Sequence, residues 1–264
     1  MPKETATSKD GTPIAYWRSG QGPPLVLVHG TSADHSRWKP VLPAFEEHFT
    51  VYALDRRGRG GSGDSEDYSI EREFEDVAAV VDSIGEPVIN LLGHSMGAVC
   101  SLEAALLTSK VRKLVLYEPG MNVSGEQVYP PGFIDRLDTL LEEGDRDGVI
   151  EALMREVVGM PAGEVEHLRS LPAWRERVKA AHTVPRELRT DEYYEFAPER
   201  FTDLGVPTLV LEGGESSAFF QAADAAVEEA LSDCRIVVMA GQGHAAMDTA
   251  SELFTTEVIR FLIT

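Results

Sequence analysis

Short apolar runs alternate along this chain with longer stretches whose apolar positions recur every three or four residues. Pro24-Leu25-Val26-Leu27-Val28 is apolar at every position, the mark of a strand covered on both faces, as in a parallel sheet. Val51-Tyr52-Ala53-Leu54 and residues 88–92, 111–117, 208–211 and 235–239 repeat the theme. Between them Phe74, Val77, Val80 and Val81, and again Leu102, Ala105 and Leu106, fall at helical spacing. This alternation predicts an α/β protein with a doubly wound, mostly parallel sheet. Ahead of it, residues 5–8 and 14–18 predict an antiparallel edge hairpin turning at Asp10-Gly11. The rhythm breaks between about residues 120 and 203, where helix-like segments at 133–141 and 148–158 have no strand of comparable strength beside them. The pattern therefore predicts a core from residues 1–119 and 204–264, with residues 120–203 inserted as a helical cap after the sixth strand.

Charge narrows the range of partners. Twenty-four Lys and Arg face 44 Asp and Glu, a net charge of −20. That balance repels phosphate backbones and anionic membrane surfaces, so neither nucleic acid nor a membrane is an expected partner, and a small-molecule substrate is. Cys100 and Cys234 are the only cysteines, too few for a disulfide scaffold or a thiolate zinc site, and are expected as small core residues. No apolar run follows the N-terminal Met1-Pro2-Lys3-Glu4, and no apolar stretch approaches the length of a membrane helix. The expectation is a cytoplasmic protein. With no H-E-x-x-H and no clustered ligand set in the chain, no metal is expected, and no cofactor is expected either.

Candidate chemistry centres on Gly93-His94-Ser95-Met96-Gly97, directly after the strand ending at Leu92 and directly before a helical pattern. A serine on such a sharp strand-to-helix turn projects its hydroxyl into a cleft, and small residues two before and two after let strand and helix approach closely. The helix N-terminus then offers the Met96 N–H to a developing oxyanion. His29-Gly30-Thr31-Ser32 follows the first apolar strand, where a second donor is needed; Thr31 is the candidate, ahead of Ser32, and His29 reads as a structural histidine. A serine hydroxyl also needs a base. His244, in Gly241-Gln242-Gly243-His244 after the last strand, stands where open α/β sheets place their ligand sites.

Taken together, the chain resembles the α/β-hydrolase family over essentially its whole length. The resemblance is carried by His29-Gly30, Asp55-Arg56-Arg57-Gly58-Arg59-Gly60-Gly61-Ser62, Gly93–Gly97, residues 207–213 and Gly243-His244, in the family's order. The run from Asp55 to Ser62 is similar to the family's D-x-x-G-x-G-x-S turn and is read as structural, with Arg57 and Arg59 exposed. The sequence departs from the commonest pattern at the acid. Where most relatives have G-x-x-D after the strand at 207–211, this chain has Gly213-Gly214-Glu215-Ser216, which puts a serine in the acid's place. Glu215 is adjacent; Glu118, at the end of the preceding strand, is favoured over it, and Asp248 is a remote third candidate. Some relatives, among them a group of haloalkane dehalogenases and the fungal zearalenone lactonases, are similar in carrying their acid after that earlier strand.

The resemblance implies a serine hydrolase that cleaves an ester, lactone or related acyl bond, with Ser95, His244 and Glu118 as triad and Thr31 and Met96 as oxyanion hole. A C–C bond hydrolase, a perhydrolase or haloperoxidase-like enzyme, and a non-catalytic ligand-binding homologue are the alternatives. Phe133, Trp174, Tyr193, Tyr194 and Phe196 in the cap, with Phe219 and Phe220, favour an apolar or aromatic substrate.

Overall fold

The all-apolar runs become interior strands because only a two-sided cover of helices can bury them. The computed structural model of the chain describes residues 2–125 and 127–264. In chain order these hold β1 (Lys3–Thr7), β2 (Pro13–Gly20), β3 (Pro24–Val28), α1 (Leu42–Glu46), β4 (Thr50–Leu54), α2 (Ile70–Ser83), β5 (Ile89–His94), α3 (Met96–Ala104) and β6 (Val111–Tyr117). An insertion follows with α4 (Phe133–Glu142), α5 (Arg146–Ala152), α6 (Ala162–Ser170), α7 (Pro172–Lys179) and α8 (Val184–Leu188). The chain then returns through β7 (Thr208–Gly213), α9 (Ala218–Ala230), β8 (Cys234–Met239), α10 (Ala246–Thr249) and α11 (Ser251–Ile263).

One eight-stranded sheet runs in the order β1-β2-β4-β3-β5-β6-β7-β8. The β1–β2 hairpin is antiparallel and joins β4 antiparallel, while every pairing from β4 to β8 is parallel. Each face is covered by its own apolar layer. One contains Val26, Leu91, Val99 and Leu114 with α2 and α3; the other contains Leu27, Phe45, Leu92 and Phe254 with α1 and α11. A third apolar cluster, including Phe133, Leu137, Ile150 and Trp174, lies within the insertion. No helix among the described residues is long and apolar enough to cross a membrane.

The turn after β4 corrects one expectation. Arg57 and Arg59 are buried, not exposed. Arg57 is clamped by Asp76, with Nε–Oδ2 at 2.6 Å and Nη2–Oδ1 at 2.7 Å, and by Asp10 at 3.0 Å. Arg59 pairs with Glu187 of α8, and Arg56 beside it lies 2.7 Å from Glu73 and 3.0 Å from Glu187. Burial of a guanidinium is tolerable only with such partners, and they come from the β1–β2 turn, from α2 and from the insertion, all distant in sequence.

Candidate active site

The elbow forms because glycine occupies the two positions where backbones meet. A Cβ on Gly93 would fall 2.3 Å from the Gly97 carbonyl oxygen, and one on Gly97 would fall 2.3 Å from that of Val28. With both absent, α3 packs against the ends of β3 and β5, and Ser95 takes φ 57° and ψ −126°. Ser95, Thr31, Met96 and His244 all border one cavity of about 130 Å³. Met96 opens α3, so its N–H has no carbonyl one turn back to receive it. Gly120 faces the same spot: a Cβ there would lie 3.3 Å from Ser95 Oγ and 3.4 Å from the Met96 nitrogen.

Glu118 follows β6 in a left-handed conformation, φ 47°, and is fully buried. Its Oε2 lies 2.5 Å from His244 Nδ1. Its Oε1 accepts from the Gly213 N–H at 2.7 Å and from the Ser216 hydroxyl. The serine that stands in the commoner acid position thus donates to the carboxylate one strand away. Glu215 is exposed and contributes its backbone N–H to Gln242 instead. Asp248 is exposed, borders the cavity and pairs with Arg37 at 2.7 Å.

Neighbouring side chains fix the His244 loop. Tyr117 Oη donates to the Gly243 carbonyl and accepts from the Ala246 N–H at 2.9 Å. The Phe220 ring stacks on the imidazole, 4.1 Å between centroids and 17° between planes. His94 Nε2 lies 3.0 Å from the His244 carbonyl, which requires the proton on that nitrogen. Burial, then the nearby His244 and Arg37, hold His94 well below the usual histidine range, so it stays the neutral donor. His29 is likewise buried and neutral, its Nδ1 on the Gly30 carbonyl and its Nε2 accepting from the Arg56 N–H.

The cavity walls depart from the expected aromatic lid. Phe133 and Trp174 are spent in the insertion's own core, Tyr194 packs on Phe74 of α2 and donates to Glu103 of α3, Phe196 stacks on Phe201, and Tyr193 is exposed. Phe219 and Phe220 do line the cavity, joined by Leu153, Met154 and Val157 from the insertion. Sequence reasoning passed over Arg37 and Arg177, which also line it; nothing in their local spacing separates them from surface arginines. A second cavity of about 480 Å³ shares Tyr129, Val157, Phe219 and Phe220 as walls. A larger one of about 700 Å³, bounded by residues 122–125, 127–130, 132–135 and 194–196, touches neither Ser95 nor His244.

An eight-stranded, mostly parallel sheet with a serine elbow and a histidine on the loop after its last strand defines a hydrolase of the α/β class. A sequence profile of the alpha/beta hydrolase family matches residues 25–256, and the chain belongs to that family. It is similar to N-formylmaleamate deformylase of Pseudomonas putida, 34% identical over 137 residues, which cover 49% of this chain and 51% of that protein. It is similar also to (E)-2-((N-methylformamido)methylene)succinate hydrolase of Acinetobacter baylyi, 28% identical over 81% of this chain and 80% of that one. Among solved structures, an alpha/beta hydrolase from Sphaerobacter thermophilus superposes with a TM-score of 0.80 at 36% identity, covering 95% of this chain and 99% of the other.

Proposed function

We propose that the protein is a serine hydrolase that cleaves an acyl bond of a small substrate through an acyl-enzyme. The observation that carries the reading is the 2.5 Å contact of Glu118 Oε2 with His244 Nδ1, behind an imidazole that borders the same cavity as Ser95. Glu118 holds the proton on Nδ1, which leaves Nε2 free to act as base. Ser95 Oγ attacks the carbonyl carbon while His244 takes its proton, and the oxyanion forms between the Thr31 and Met96 N–H groups. Collapse expels the leaving group, to which His244 returns the proton; water, deprotonated by the same imidazole, then releases the acid and restores Ser95. The insertion roofs the cavity with Leu153, Met154 and Val157 and so sets which acyl chains fit.

An ester or lactone is the bond the site is read to cleave. An N-formyl or N-acyl amide is the second reading, favoured by the names of the two relatives, a deformylase and a formamido-succinate hydrolase. Both bonds need the same four roles. Treatment with a serine-reactive fluorophosphonate, followed by peptide mass spectrometry, should place the adduct on Ser95. Ser95→Ala should lower kcat by roughly four to six orders of magnitude, as triad knockouts do. An adduct elsewhere in folded, active protein would overturn the proposal.

A further inference from the structure

The cavity over Ser95 holds more positive charge than its walls compensate. Arg37 and Arg177 both border it. Arg37 is matched by Asp248 at 2.7 Å. Arg177 has no carboxylate within ion-pair distance among the described residues. Its Nη1 donates to Ser32 Oγ at 3.0 Å, and its buried Nε has no hydrogen-bond partner among the described residues. Asp248 and Asp34 reach it only through space, the first already taken by Arg37 and the second occupied in capping the turn at Ser36. Burial, with Arg37 beside it, pulls the Arg177 guanidinium down to about 10, the direction for a cation without a counter-ion.

Such a charge is costly to bury alone. It is also out of keeping with a chain of net charge −20, whose overall field repels anions, so the arginine serves the cavity and not the surface. Arg177 hangs from α7 in the insertion and bridges to Ser32, the neighbour of the proposed oxyanion donor Thr31. A guanidinium placed there offers a planar fork that a carboxylate matches with two parallel hydrogen bonds. The remaining walls, Leu153, Met154, Val157 and Phe219, are apolar and suit the carbon chain between. At about 130 Å³ the cavity lies below the usual range for ligand pockets, so charge and scissile bond must be only a few bonds apart.

We infer that Arg177 anchors a carboxylate of the substrate, so that the protein acts on small esters or amides bearing a free carboxylate at the end remote from the scissile bond. This rests on the acyl-enzyme reading of Ser95. The test follows the rate at which a fluorophosphonate labels Ser95 in the presence of small competitors. Succinamate and glutaramate carry one amide and one carboxylate; succinamide and glutaramide carry two amides and match them in size. In the wild type the half-acid should protect Ser95 at least about tenfold more effectively than the diamide, as one charge-assisted fork gives. Arg177→Gln should erase that discrimination and Arg177→Lys keep part of it, each variant measured against its own unprotected rate. Equal protection by half-acid and diamide in the wild type overturns the inference without need of any variant, and so does undiminished discrimination in Arg177→Gln. Labelling without discrimination overturns this inference alone, whereas no labelling at Ser95 overturns the acyl-enzyme reading as well.

Discussion

Ser32, Ser95 and Glu118 are the non-glycine residues with positive φ among those described, at 55°, 57° and 47°. All three belong to the proposed site, where Ser32 holds Arg177 and the other two are proposed triad members. Each such backbone costs on the order of 1–3 kcal/mol and persists only where its surroundings enforce it. For Glu118 the surroundings are three contacts, from His244, Gly213 and Ser216. Glu118→Gln should therefore keep the fold and lower kcat by several orders of magnitude, because an amide can hold the wrong imidazole tautomer. Glu215→Gln, at an exposed side chain, should leave steady-state kcat almost unchanged. Ser216→Ala removes one of the two donors to Oε1 and should cost about tenfold or less in kcat, the Gly213 N–H remaining. Adding Ser216→Asp to Glu118→Gln should recover part of the lost kcat by returning a carboxylate to the position most relatives use. Full activity in Glu118→Gln alone would refute the assignment.

Between elements, the strongest tie runs from the insertion to the core. Glu187 of α8 is fully buried and accepts from Thr31 Oγ1 at 2.7 Å, from Arg56 at 3.0 Å and from Arg59. Arg56 and Glu73 complete a buried set of two guanidiniums and two carboxylates, to which Tyr68 donates at 2.9 Å. Burial and the adjacent Arg56 draw Arg59 down to about 10. Glu187→Gln would leave two buried cations facing one carboxylate and should destabilise the protein by about 3–5 kcal/mol, read as a lower denaturation midpoint in urea. Because Glu187 also grips Thr31, kcat should fall in protein that remains folded. Local pattern made the strands, the elbow and the histidine loop legible, since apolar periodicity and glycine placement are properties of neighbouring residues. It failed for Arg57 and Arg59, whose partners Asp76 and Glu187 lie 19 and 128 residues away. It failed again for Phe133 and Trp174: an aromatic in a helical pattern declares that it is buried, but not whether against its own helices or a substrate. Glu118 was reachable only through the serine at 216, a gap in a familiar pattern that pointed one strand upstream.

At the scale of the whole molecule, one buried carboxyl should govern how stability varies with pH. Asp224 on α9 is fully buried, and neither of its oxygens has a partner among the described residues. Burial, then the charges of Glu118 and Glu212, push it up from 3.8 to about 9. In the unfolded chain it ionises near its ordinary value, so between roughly pH 4 and 9 the folded state binds the extra proton. A group raised in this way contributes stability that is fully present below pH 4 and lost as pH climbs through its folded value. The loss amounts to at most about 1.4 kcal/mol per pH unit. Glu73 works in the opposite direction: despite its burial, Arg56 and Arg59 hold it down to about 2, so its contribution disappears only as pH falls from about 4.5 toward 2. The two together place the stability maximum in the weakly acidic range and make the alkaline limb the steeper one near neutrality. Asp224→Asn keeps the shape of the protonated acid but cannot ionise. Its urea midpoint should match the wild type below about pH 4 and exceed it increasingly from about pH 5 to 9. Parallel curves for the two proteins across that range would mean that Asp224 finds a counter-charge or water that lets it ionise in place.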